Sequence, residues 1–330
     1  MSLAQILTLL TGLLLSEPAP PTLHVRDTKA MGTRFVLRLY ARSGEHADRA
    51  AALAFARIHA LDRTLSDYRP DSEISRLSDA APMEQAGAVS ADTSRILARS
   101  LHYARLTDGA FDPALGSIIS LWRDARRLNQ APNAERLRVA LQSSGYRHLL
   151  ANEARRTVQL LQPGMRLDLG AIAKGFAADE ALKILRVHGC PSSLVDAGGD
   201  LAIGDAPPGR AGWRIAFEAR DEPALEDLVR CGVATSGSHY QTTILDGIAY
   251  SHIVDPKTGL GLVDSCEVTV VAADGTAADA LASAFSVLGP DKSVGIAAQI
   301  PGLRVRFRDT EGRTRWLAAD DVRKNELRRK

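Results

Sequence analysis

The sequence predicts an α+β fold with mainly antiparallel sheet, in one large domain. Three observations predict it. The 330 residues are 45% hydrophobic and 24% charged, the balance of a chain that buries a core. Strand-like and helix-like stretches follow one another without the regular βαβ alternation that builds a parallel sheet. No internal repeat or low-complexity linker divides the chain.

The elements read in order as follows. Leu23–Val25 is β material, and MGTRFVLRLY (31–40) alternates Phe35, Leu37 and Leu39 with Arg34, Val36 and Arg38, the pattern of a half-buried strand. Residues 45–62 have helical spacing, with Leu53, Ile58 and Leu61 on the apolar side, and 91–106 form a second helix with Ile96, Leu97, Leu101 and Leu106. Asn133 opens a third, short helix that ends near 143–145. VQLL (158–161) and MRLDL (165–169) read as paired strands around a turn at Pro163–Gly164. Residues 173–188 are helical, closed by Gly189 as a C′ glycine. Strands follow at 192–204, 213–219, 234–241, 249–255 and 267–273. A late helix spans 277–288 and ends at Gly289, and RVRFRD and TRWLA close the chain as a hairpin around Glu311–Gly312.

Charge and cysteines exclude several functions. With 41 basic and 39 acidic residues the net charge is +2, so no global field draws nucleic acid. The basic tail, 321–330, is short and reads as a solvated terminus. Cys190, Cys231 and Cys266 form no CxxC pair, which argues against a structural zinc site. At the other end, residues 1–20 carry an apolar run from Leu3 to Leu15 and then a Pro-rich stretch. The run is shorter than the roughly 20 residues that span a bilayer and suits a signal peptide. No Lys or Arg precedes it, and an N-terminal helix is the other reading.

Five stretches carry candidate chemistry. In LDLGAIAKGFAADEALKIL (167–185) a glycine-rich turn enters a helix beside Lys174, which suits phosphate, yet it lacks P-loop spacing and can equally be tight helix–sheet packing. In TAADALASAFSVLG (276–289) Asp279 and Ser283 share a helix face, half a site for a hard cation such as Mg²⁺. The alternative is an exposed Asp279 and a Ser283 bonded to its own helix. SHIVDPKTG (251–259) offers His252 as a general base, and Asp255 as its neighbour or as a plain turn cap. TDGAFDPALG (107–116) sets Asp112 before a proline, where turn chemistry also explains it, and Tyr68 in LSDYRPDSEISRL (65–77) offers a ring to a planar ligand or to the core. Ser236, Ser238 and His239 lack the GxSxG elbow of a triad hydrolase.

In series these stretches resemble one family. MGTRF, LSDYRPDSEISRL, TDGAFDPALG, LDLGAIAKGFAAD, VDAGGD, ATSGSHY, SHIVDPKTG and DALASAFSVLG run in order from Met31 to Gly289, as in the FAD:protein FMN transferases, the ApbE-like flavinyltransferases. The resemblance implies a T-fold-like flavinyltransferase domain over 21–320. It implies that FAD and Mg²⁺ bind, that FMN passes to a Thr or Ser hydroxyl of an acceptor flavoprotein as a phosphoester, and that AMP leaves. It implies FAD contacts at Met31, Tyr68, Ala110, Phe111, Asp112, Asp168, Lys174 and Ile253, and Mg²⁺ ligation by the Ala171 carbonyl, Asp279 and Ser283. The entering hydroxyl needs a base, assigned to His252 with Asp255 positioning its loop. The chain departs from the family at Ser283, where threonine is usual; the hydroxyl survives. FAD hydrolysis to FMN and AMP, or flavin binding without catalysis, are the competing readings. The resemblance also implies an exported enzyme, in the periplasm or on the outer face of the inner membrane, meeting a membrane-associated partner transiently.

Overall fold

Alternation along residues 33–41 decides where the main sheet buries its face: Phe35, Leu37 and Leu39 are wholly buried. A computed structural model of the chain describes residues 20–217, 224–237, 242–263 and 266–318. The signal-peptide reading, the basic tail, Ser238 and His239 lie outside the described residues.

The strands are β1 (Thr22–Ala30), β2 (Thr33–Ala41), β3 (Gly87–Ala88), β4 (Leu149–Asn152), β5 (Thr157–Leu160), β6 (Ser193–Ala197), β7 (Asp200–Ile203), β8 (Trp213–Phe217), β9 (Ala224–Leu228), β10 (Cys231–Ser236), β11 (Thr242–Leu245), β12 (Ile248–Ser251), β13 (Glu267–Ala272), β14 (Arg304–Arg308) and β15 (Thr314–Ala318). Eight of them form one sheet in the order β1-β2-β6-β7-β10-β13-β14-β15. Every pairing in it is antiparallel. The fold is α+β and antiparallel, as the element order predicts.

The helices are α1 (Gly44–Leu65), α2 (Glu73–Asp79), α3 (Ala91–Leu106), α4 (Gly116–Leu128), α5 (Ala134–Ser143), α6 (Ala173–Val187) and α7 (Gly275–Ala297). α1 packs on β1, β2 and α6; α6 packs over β6 and β7; α7 lies over β10, β13, β14 and β15. This helical layer and the sheet enclose the main core. A second cluster around Trp213, Phe217, Val233 and Val271 lies under the β8–β9 hairpin, and a third around Trp122 joins α4 and α5 to the segment after β12. Among the described residues no helix is long and apolar enough to cross a membrane.

Four details differ from the sequence reading. Leu53 is not on the buried side of α1 but 46% exposed. The buried stripe is Ala47, Ala50, Ala51, Ala54, Ile58, Leu61 and Leu65, a regular i, i+3, i+4 series that excludes position 53; its alanines let α6 approach closely. MRLDL is not a strand. β5 pairs instead with β4 and β3, while 165–169 runs extended, its Leu167 N–H donating to Ser78 Oγ (3.0 Å) and its Asp168 N–H to the Pro113 carbonyl (2.9 Å). The late helix ends at Gly289 as read, where φ is +70°, but a further helical segment not read from sequence starts directly at Pro290, whose missing N–H costs nothing at a helix start. Helices α2 and α4 are additional to the elements read from sequence.

Candidate active site

The site begins where α6 and α7 touch. A Cβ on Gly175 would lie 2.2 Å from the Gly275 carbonyl oxygen and 2.9 Å from Asp279 Cβ, so only glycine lets the two helices meet here. Asp179, one turn further along α6, fixes the register. Its Oδ1 accepts from Gly275 N–H and its Oδ2 from Thr276 N–H, each at 2.8 Å, capping α7 from a neighbouring helix. Burial, and then the charge of Asp274, push the Asp179 carboxyl up to about 6. The contact answers why glycine and alanines crowd this stretch of sequence: they bring Lys174 and Asp279 together.

Asp279 is 3% exposed, and its carboxylate accepts from the Gly175 N–H at 3.0 Å. The Lys174 ammonium lies 3.3 Å from Asp279 Oδ1 and 2.7 Å from Asp200 Oδ2. Asp200 opens β7, just after the Gly198–Gly199 turn that reverses the chain from β6. Burial pushes the Asp200 carboxyl up to about 7, helped by the charge of Asp279. Burial alone would lower Lys174, but Asp279 and Asp200 outweigh it, and the ammonium is held charged well above its ordinary range. One turn beyond Asp279, Ser283 Oγ lies 3.4 Å from Ser236 Oγ at the end of β10.

A second charged cluster stands on the other side. Arg123 of α4 bonds the carboxylates of Asp67 and Asp168, the latter at 2.8 Å, and its guanidinium lies 3.9 Å from the centroid of the Tyr68 ring. Tyr68 is 74% exposed. Asp168 Oδ1 also accepts from Gly170 N–H at 2.8 Å. Burial, and then the charge of Asp67, raise the Asp168 carboxyl, with Arg123 opposing them. Arg126, one turn along α4, has no carboxylate partner among the described residues, and burial lowers its pKa.

Lys174, Asp200, Asp279, Arg123, Arg126, Asp168 and Tyr68 line one cavity of about 610 Å³, while Asp67 and Asp179 stand behind them. Of the residues singled out from sequence, Tyr68, Ala110, Phe111, Asp112, Asp168, Ala171, Lys174, His252, Ile253, Asp279 and Ser283 all line it. Met31 and Asp255 are not among its lining residues. Met31 is the φ +48° tip of the β1–β2 hairpin, and its N–H donates to Asp62 Oδ1. Asp255 holds its own turn: its Oδ1 accepts from Lys257 N–H at 2.9 Å and its carbonyl from Gly259 N–H at 2.8 Å. That turn is anchored in the third cluster by Trp122, whose ring N–H donates to the Gly259 carbonyl, and it carries His252, Ile253 and Val254 to the cavity wall. Asp112 also works within its loop, accepting from Ala114 and Tyr146 N–H groups at 2.8 Å, while burial pushes its carboxyl up to about 6.

Sequence reasoning missed Asp200, Asp67 and Arg123. Asp200 stands in the quoted VDAGGD, and a carboxylate directly after paired glycines was the available signal. Arg123 sits in SIISLWRDARRL, whose Ile118, Leu121, Trp122 and Ala125 mark an amphipathic helix that would have placed it.

The ApbE family profile matches residues 31–307. The chain belongs to the ApbE family. A Treponema pallidum protein named FAD:protein FMN transferase is 36% identical over 89% of this chain and 87% of its own length. An Escherichia coli K12 protein of the same name is 30% identical over 90% of this chain and 88% of its own. Among solved structures, the apo flavinyl transferase ApbE of Pseudomonas stutzeri superposes with a TM-score of 0.80 at 27% identity, covering 92% of this chain and 98% of that one. The flavin transferase ApbE of Vibrio cholerae gives 0.81 at 26% identity, covering 92% and 99%.

Proposed function

We propose that this ApbE-family chain is a FAD:protein FMN transferase that uses Mg²⁺ and releases AMP. The observation that carries the reading is the ammonium of Lys174 held between two buried carboxylates, in a cavity that also presents Tyr68, His252 and Ser283. The names of relatives matched over most of both chains support the same activity.

In the reaction an acceptor Thr or Ser oxygen bonds to the FMN phosphorus while the bond from that phosphorus to the bridging oxygen breaks. AMP leaves with the bridging oxygen. His252, on the cavity wall, takes the hydroxyl proton. Lys174 places positive charge beside the phosphates. Tyr68 offers an open ring to one planar end of the dinucleotide. Ala110 and Phe111, both buried, close the apolar side of the cavity.

The donor set fits Mg²⁺. Asp279, Ser283 and the Ala171 carbonyl line one cavity and offer only hard oxygen atoms, and Asp200 and Asp279, when both are ionised, carry one more negative charge than Lys174 neutralises. Among the described residues no three His, Cys, Asp or Glu side chains cluster, so the hydroxyl and the carbonyl would have to complete the set. Bound there, Mg²⁺ supplies Lewis-acid neutralisation of the pyrophosphate. We also assign the enzyme to the exported fraction, on the apolar run Leu3–Leu15; cell fractionation tests that.

The test incubates the protein with FAD and Mg²⁺, with and without a domain bearing a candidate acceptor threonine. AMP that appears only with acceptor, alongside an FMN-sized mass gain, establishes transfer. AMP without acceptor, abolished by chelator, makes it a FAD hydrolase. Bound FAD with no AMP sinks both. His252→Ala is expected to abolish transfer and leave FAD binding intact; loss of both refutes its role as base.

A further inference from the structure

We infer that Arg123 is a positioning residue for dinucleotide binding, acting through Asp67, Asp168 and Tyr68. The inference rests on the reading of the cavity as a FAD site. Three separated pieces of chain meet at this one guanidinium. Asp67 and Tyr68 come from the loop after α1, Asp168 from the extended run before α6, and Arg123 from the middle of α4. Asp67 and Asp168 have side chains only 17% and 12% exposed, so two carboxylates share a poorly solvated corner. With Arg123 and Arg126 both present, this corner is electrically balanced. Without Arg123 it carries one net negative charge where an anionic dinucleotide must enter.

The geometry also says how the residue acts. One edge of the planar guanidinium serves the two carboxylates while its face serves the Tyr68 ring. Asp168, steadied in this way, takes the Gly170 N–H and so shapes the turn that leads to Ala171 and Lys174. The highly exposed Tyr68 is held by its stack on Arg123, leaving the opposite face of the ring for a planar ligand. Lysine would supply the charge but neither the fork nor the flat face.

The test compares the full-length unsubstituted enzyme with Arg123→Lys, Arg123→Gln and the double variant Arg123→Gln/Asp67→Asn. FAD affinity is read by flavin fluorescence, KM and kcat by AMP release with a saturating acceptor, and folding by thermal melting. Arg123→Gln is expected to raise the FAD dissociation constant and KM by about tenfold or more, the scale of one lost buried charge partner, with kcat within about threefold. Adding Asp67→Asn should recover most of that loss, because it removes the stranded charge, and Arg123→Lys should recover part. An unchanged KM in Arg123→Gln, or a fall in kcat and melting temperature that Asp67→Asn does not reverse, overturns the inference. If the unsubstituted enzyme itself fails to bind FAD, the reading of the cavity falls and the inference with it; if it binds FAD and Arg123→Gln binds equally well, only the inference falls.

Discussion

Replacing Gly175 by alanine tests whether the closeness of α6 and α7 builds the site. The new Cβ would lie 2.2 Å from the Gly275 carbonyl oxygen, 2.6 Å from its carbon and 2.9 Å from Asp279 Cβ. Comfortable contact begins near ~3.3 Å, so the helices must part by roughly 1 Å. Gly275 cannot yield like the end of a flexible side chain, because Asp179 holds its N–H. Parting stretches the 3.0 Å bond from Gly175 N–H to Asp279 beyond hydrogen-bond range. Overpacking costs about 1–3 kcal/mol, and a stranded buried acceptor about 1–3 kcal/mol more. The better helix propensity of alanine offsets about 1 kcal/mol. The net loss is on the order of 3 kcal/mol, a drop of about 6 °C in melting temperature at the roughly 2 °C per kcal/mol of a large domain. AMP release should fall by about 100-fold, the usual effect of a 1 Å misplacement near reacting groups. Gly295→Ala is the control: it lies in α7 beyond Gly289 with nothing within 4 Å, and should keep full activity and gain up to about 1 kcal/mol. If Gly175→Ala keeps both its melting temperature and a rate within about threefold of the unsubstituted enzyme, the close-approach argument is wrong.

Two further predictions concern charge. Lys174→Met leaves Asp200 and Asp279 facing each other without their cation, and should cost about 3–5 kcal/mol in chelator. Mg²⁺ should restore more of the melting temperature in this variant than it adds to the parent, and a variant that melts normally in EDTA would count against the charge arrangement. Asp179 is raised to about 6 from an ordinary 3.8, so folding takes up a proton between those values. Its contribution is therefore fully present below about pH 4 and lost as pH rises through about 6, a swing of ~3 kcal/mol at 1.36 kcal/mol per unit. The stability difference between the parent and Asp179→Asn, from urea unfolding, should shrink by that amount from pH 4 to pH 7; a difference flat in pH refutes the assignment.

The sheet was legible because its strands announce themselves by period two: Phe35, Leu37 and Leu39 read as buried from sequence and are buried. Helix ends were legible wherever local chemistry sets them, as at Asn133, which caps α5 by accepting the Arg136 N–H, and at Gly189 with φ +79°. Reading failed where tertiary contact overrides pattern. Leu53 looked apolar enough to be inside, but the partner helix wanted alanines. Residues 165–169 alternate like a strand, yet their hydrogen bonds go to Ser78 and to the 113–116 loop. The same holds for the site. Lys174, Asp279 and Ser283 carry helical spacing and could be singled out, whereas the pairings of Asp200 with Lys174 and of Arg123 with Asp67 and Asp168 join residues 26, 56 and 45 positions apart, which no local period encodes.

Both charged clusters follow one plan, a single cation between two carboxylates, buried in the Lys174 cluster and half-buried in the Arg123 cluster. Each therefore carries one net negative charge when fully ionised, and the Arg123 cluster has a second cation, Arg126, one turn away on the cavity wall. A pyrophosphate brought bare to the Lys174 side would meet excess negative charge. Brought with Mg²⁺, it would meet a balanced site. FAD and Mg²⁺ should consequently bind with positive linkage, each tightening the other by the same factor because the coupling is a single free energy. Typical couplings of about 1–3 kcal/mol correspond to roughly 5- to 150-fold. Titrating FAD at zero and at saturating Mg²⁺, then Mg²⁺ at zero and at saturating FAD, gives two ratios that must agree. Asp279→Asn removes one carboxylate from the excess and should shrink both ratios together. FAD binding that is indifferent to chelator would mean that Lys174 alone suffices for the phosphates, and that the second carboxylate beside it serves the fold rather than a metal.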